Sequence, residues 1–184
     1  GRGSTFENKE GISIENIYAK GTGFENDGFL NAIRYKDNIY AAGRSLTTSF
    51  SGVWDPILIK YNFVNEKLSE INIGEYETVR VGEVVNDNLI LLLTNYSEQN
   101  ENLIYLAKYD LSKKQIEIID KISIKPNMLI INFGMINYIF STELKKHYLF
   151  TALSNKNSDN KKKNALLVYI YDKEFNFEKR IEIP

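Results

Sequence analysis

An all-β fold of about three four-stranded antiparallel units behind a leading strand is what this sequence predicts, on three observations. A short apolar run, a polar break and a second apolar run ending in Lys-Tyr-Asn span residues 37–62. The arrangement returns over residues 87–110 and again over 146–172, so the units repeat every 50 to 60 residues or so. A repeat of that length is the mark of stacked supersecondary units. Apolar residues either alternate or run consecutively, and no long segment has the three-and-four spacing of an amphipathic helix.

The elements follow in order. A leading strand is expected over 12–20. The first unit (28–74) holds strands at 30–35, 38–43, 56–62 and 68–73. The second (75–125) holds them at 79–85, 88–94, 102–110 and 115–124, and the third (128–184) at 136–143, 147–153, 165–172 and 177–183. Second strands such as Leu89-Ile90-Leu91-Leu92-Leu93 are apolar at consecutive positions, so both of their faces are buried. Fourth strands alternate, with Ile116, Ile118, Ile122 and Ile124 against Glu117, Lys121 and Ser123, the pattern of a half-exposed edge. Short polar turns close the hairpins at Lys36-Asp37, Asn86-Asp87 and Ser112-Lys113-Lys114.

A four-stranded unit with buried inner strands and a charged outer edge is a β-propeller blade. Residues 1–10, opening on Gly-Arg-Gly-Ser, read as a tag or processing remnant, and 11–184 as blades. The chain is then a mature form or an excised piece. The leading strand takes the fourth-strand slot of an incomplete blade. Propellers close with about four to eight blades, so three units make a partial or oligomer-completed ring. A bare blade face exposes more apolar surface than a monomer tolerates. The expected partner is a further copy of the chain or the remainder of a longer propeller.

Composition narrows the function classes. The 23 basic and 24 acidic residues leave a net charge of −1, which argues against nucleic-acid binding. The Lys161-Lys162-Lys163 run reads as a solvated loop. With no cysteine, disulfides, thiolate catalysis and Cys-ligated metals are excluded. No apolar stretch approaches the length of a membrane helix; the longest, 128–140, is interrupted by Asn132, Gly134 and Asn137.

"AIRYKDNIYAAGRS" followed by "WDPILIKYN" resembles the bacterial and archaeal beta-propeller repeat known as SBBP. Ala32-Ile33, Asn38-Ile39-Tyr40-Ala41-Ala42-Gly43, Trp54-Asp55 and Lys60-Tyr61-Asn62 carry the resemblance over about residues 21–62. The second unit keeps Asn88-Leu89 and Lys108-Tyr109-Asp110, and the third little beyond Tyr171-Asp172. The resemblance implies blades, an extracytoplasmic or cell-surface setting and an inter-blade packing role for Trp54. It implies no particular activity.

The loops between second and third strands vary most in length and open on one face, together with the connections into each blade. That face is the expected ligand site. Glu25 and Asp27 in "GFENDGF" are its acidic candidates, Arg44, Trp54, Tyr76 and Tyr96 its cationic and aromatic ones, with Glu75, Glu77, Asn95 and Lys161 nearby. Aromatic rings beside amides and charges suit glycans, and Arg44 also stands within reach of Asp55. His147, the sole histidine, beside Lys146 in a hairpin turn, reads as a surface residue and no His-based metal site is possible. Asn155, Asn157 and Asp159 alternate like calcium ligands but lack the carboxylates and the glycine of a calcium loop. Asn95-Tyr96-Ser97 matches a glycosylation acceptor.

The function expected from these residues is a non-catalytic binding or scaffold module for a protein or glycan, with no cofactor. The alternatives are a carbohydrate-active propeller enzyme using acids such as Glu25 and Asp27, and a self-assembling surface protein.

Overall fold

The computed structural model describes residues 6–7, 13–14, 27–46, 54–96, 102–124, 128–130, 136–156 and 162–183. Two short strands, β1 (Phe6–Glu7) and β2 (Ser13–Ile14), pair with each other, and among the described residues with no other strand. The leading strand was expected at a blade edge; its one described part, β2, pairs with β1, and the rest of 12–20 lies outside the described residues.

Three four-stranded antiparallel meanders follow. The first sheet holds β3 (Asp27–Tyr35), β4 (Asn38–Leu46), β5 (Trp54–Asn62) and β6 (Lys67–Glu70), and the middle sheet β7 (Thr78–Val85), β8 (Asn88–Tyr96), β9 (Asn102–Asp110) and β10 (Gln115–Ile124). The third holds β12 (Asn137–Ser141), β13 (Lys146–Lys156), β14 (Lys162–Tyr171) and β15 (Phe177–Ile183). An additional strand, β11 (Met128–Ile130), pairs with the far end of β13, at Leu153–Asn155. The interrupted apolar stretch over 128–140 thus contributes two short strands to one neighbour. The fold is all-β, and the described strands form no closed barrel or ring. No described helix is long and apolar enough to cross a membrane.

The leucine run explains the stacking. Leu89, Leu91 and Leu93 point to the first sheet and meet Tyr40, Ala42 and Leu58; Ile90 and Leu92 point the other way and meet Tyr138, Leu149 and Leu167 of the third. All five residues from Leu89 to Leu93 are at most 1 % exposed, as expected of a strand covered on both faces.

Local chemistry recurs in each unit. Asn62 and Asp110, which end β5 and β9, and Asp172, which directly follows β14, each accept two backbone N–H bonds from the next turn through a side-chain oxygen. That Asx arrangement bends the chain into the fourth strand. The Asn86-Asp87 turn has φ of 50° and 58°, the two left-handed residues of a type I′ hairpin. Between sheets, the Asn31 amide accepts the Val81 N–H at 3.0 Å and donates to its carbonyl, and Glu83 accepts the Phe140 N–H at 3.3 Å. Gly82 clears the way for the third sheet: a Cβ there would lie 2.7 Å from the Tyr138 ring.

One expectation needs correcting. The isoleucines of β10 were read as one alternating face, but the register shifts between Ile118 and Asp120. A bulge reverses the side-chain faces beyond it. Ile116 and Ile118 therefore lie opposite Tyr109 and Ala107, on the first-sheet side, while Ile122 and Ile124 are buried against the third sheet.

Candidate functional site

Strand register sorts the molecule into two ends. The tight turns at 36–37, 63–66, 86–87, 111–114, 142–145 and 172–176 lie at one. The opposite end carries the openings of β3, β5, β7, β9 and β14 and the exits of β4, β8 and β13. The length-variable loops join strands there.

The sequence candidates gather at that loop end without forming one cluster. Asp27 opens β3 opposite Ser45, and Tyr96 closes β8 opposite Asn102. Glu25, Asn157, Asp159 and Lys161 lie outside the described residues. Arg44 lies opposite Pro56 on the face toward the middle sheet, and Trp54 is two residues along the same face of β5. Its guanidinium carbon sits 3.9 Å from the Trp54 ring centroid. One face of the indole is therefore covered by a cation, an attraction worth about 0.5–2 kcal/mol. Asp55 lies opposite Ser45, on the other face of the sheet, so the Arg44–Asp55 pairing gives way to Arg44 on Trp54.

Tyr76 has a structural explanation. Its ring meets Tyr105 edge-on at 5.3 Å and packs against the core between the first and middle sheets, and burial pushes its phenol pKa up. Glu75 beside it is exposed. Asn95 lies within β8 opposite Leu103, where a loop was expected for the acceptor motif.

At the loop end of the first sheet, the connection from β6 to β7 borders an open recess of about 510 Å³ lined by Asp55, Pro56, Glu70, Ile71, Asn72, Ile73 and Gly74. Asn72 accepts the Gly74 N–H at 2.9 Å, and Gly74 turns at φ 91°, where a side chain is strained. Two carboxylates, an amide and exposed backbone thus share one polar hollow.

His147 was read as a surface residue and is fully buried. Its ring stacks on Phe175 at 3.7 Å and lies 4.7 Å from Phe140 and 5.9 Å from Tyr138. Nε2 is 3.2 Å from the Lys173 carbonyl, which only accepts, so Nε2 carries the proton. Nδ1 then accepts the Tyr138 hydroxyl at 2.6 Å. Burial lowers the imidazole pKa, opposed by the Lys173 carbonyl and Asp172. Both nitrogens are engaged, so the ring fastens the turn end of the third sheet. Strand parity carried the missed signal: His147 shares its alternation with Leu149, Thr151 and Leu153, all buried.

Arg80 was also missed. It lies opposite Leu92, toward the third sheet; its Nε is buried with no hydrogen-bond partner, and burial lowers its pKa. Arg80 is half-buried, so the guanidinium keeps part of its hydration while the enclosed Nε loses its own with no hydrogen bond in return, at some cost to stability. Arg80→Met, which keeps the aliphatic stem, is expected to raise the urea midpoint, equivalent to about 1 kcal/mol. A lowered midpoint would mean that the guanidinium itself is stabilising.

Among the described residues no group of three or more His, Asp or Glu is placed to hold a metal ion. No family model matches the chain, and no curated protein or solved structure matches it.

Proposed function

We propose that the chain is a non-catalytic binding and scaffold module of propeller-type blades, extracytoplasmic or on a cell surface, that holds a protein or glycan at its loop end. The blade reading draws support from three four-stranded meanders stacked face to face with one repeated Asx turn. The setting rests on the repeat resemblance alone. The observation that carries the binding role is the polar recess at the loop end of the first sheet, where Asp55, Glu70 and Asn72 present oxygen and amide groups on a rigid sheet end. Such groups hydrogen-bond sugar hydroxyls or an extended peptide, and the rigid strands beneath keep the ordering cost low.

Oligosaccharide and peptide arrays test the reading, with Trp54, the single tryptophan, as a fluorescence reporter in solution. A glycan or peptide that binds the wild type should be lost by Glu70→Ala/Asn72→Ala and kept by Ser112→Lys at the turn end. Binding indifferent to the loop-end changes, or none on either array, counts against it.

A further inference from the structure

We propose that an extended segment of a partner protein, bearing a lysine or arginine, pairs with the loop-end edge of β5 as an added strand. The proposal deepens the reading of the loop end as a binding site and rests on it.

The fourth strands cover the third strands unequally. β10 pairs with β9 from Asn102 to Asp110, and β15 with β14 from Leu166 to Tyr171. β6 pairs with β5 only over Ile59–Asn62. At the repeat position of Pro56, Ile104 lies opposite Ile122 and Leu166 opposite Ile183. Pro56 itself has β4 on one side and, among the described residues, no strand on the other. The chain beyond β6 shows why. Ile71 donates its N–H to the Leu58 carbonyl at 2.8 Å, and the backbone then turns in between the first and middle sheets, where Ile73 is buried. The open recess lies where a longer fourth strand would run, with Asp55 and Pro56 on one side and residues 70–74 on the other. Its volume is that of a ligand cleft.

Leu58 also shows which backbone groups face the recess. Its carbonyl is turned toward β6, and hydrogen-bonding direction alternates along a strand. The Pro56 carbonyl and the Trp54 N–H and carbonyl therefore point to the same edge. Pro56 brings no donor, which suits an edge position and bars a continuous ladder with another sheet. What remains fits a short extended peptide: it donates to Pro56 and exchanges both bonds with Trp54. Strand addition reads partners in this way, through backbone groups at the strand repeat. A glycan has no such alternation. The face is chosen by charge. A peptide residue opposite Asp55 shares its side of the sheet, the side on which Glu70 stands opposite Ile59. Opposite charges across a strand pair attract, so that residue is basic.

Terminally blocked peptides about six residues long, in arrays that scan every position, are the probe. Wild-type protein should select peptides with lysine or arginine at one place. N-methylation of the residue on either side of it, whose N–H faces Pro56 or Trp54, should weaken binding at least about 10-fold. N-methylation of the basic residue itself, whose N–H points away from β5, should leave binding unchanged. Asp55→Lys should weaken the same peptides about 5-fold and favour their glutamate counterparts. Peptides that bind with no alternation in the N-methyl scan, or with no preference for a basic residue, overturn the proposal. A loop end that binds glycans and no peptide overturns it too, while leaving the binding role of that end in place. Silence on both peptide and glycan arrays removes the two together.

Discussion

Leu92→Ala is expected to lower the unfolding free energy by about 2–5 kcal/mol, while Ile181→Ala costs less than about 1 kcal/mol. Both remove aliphatic carbons from a sheet face. The difference lies in what surrounds them. Leu92 is 1 % exposed, in the strand covered on both sides, and packs in the same core as Ile104, Leu149 and Leu167. Truncation there loses both the transfer energy and the contacts around a cavity the two sheets cannot close. Ile181 is 39 % exposed on an edge strand, so water already reaches much of what would be removed. Urea denaturation of the two variants decides it. Similar costs would mean that Ile181 is as enclosed as the middle of the stack.

What could be read from the chain follows how local each signal is. Five consecutive apolar residues at 89–93 need both faces covered, and Asn86-Asp87 needs a tight turn, so β8 and its hairpin were legible with no knowledge of their neighbours. The repeat of Asn62, Asp110 and Asp172 made the three units visible for the same reason. The bulge before Asp120 left a fainter mark. Alternation in β10 breaks at the Ile118-Ile119 and Asp120-Lys121 doublets, but only the pairing with β9 shows that the two halves face opposite sheets. Likewise, Arg44 was weighed against its charge complement Asp55, whereas the β4–β5 register brings it to Trp54. Of the candidate site, the end of the sheets was legible from the loops, while the roles of Tyr76 and His147 were not. Each is fixed by residues from another strand or another sheet. Ligand identity is a further step removed, because a stack of sheets holds its loops without dictating their chemistry.

His147 carries the second large effect, and it depends on pH. His147→Ala should cost about 3–5 kcal/mol at neutral pH, as for other large buried rings, since it empties a site walled by Tyr138, Phe140 and Phe175 and strands the Lys173 carbonyl. In the wild type the imidazole is neutral, and its folded pKa is lowered by burial among the rings. The unfolded chain, with an ordinary histidine pKa near 6.5, therefore takes up a proton at higher pH than the folded one. Stability from this group is fully present above about pH 6.5 and falls on acidification until the folded pKa is passed, by at most about 1.4 kcal/mol per pH unit. Asp172 faces the ring and moderates the loss by favouring the imidazolium. Protonation also turns Nδ1 into a donor, so the Tyr138 hydroxyl must rotate from donating to accepting. Carboxylates held below their usual range, Asp87, Asp110 and Asp172, release their share of stability only at lower pH. Urea midpoints between pH 7.5 and 5.5 isolate the histidine. A wild type that weakens over that interval, beside a His147→Phe variant that does not, is the expected pair. Parallel curves would mean that the ring takes up its proton without loosening the fold, and that the Tyr138–His147–Lys173 chain is not what fastens the third sheet.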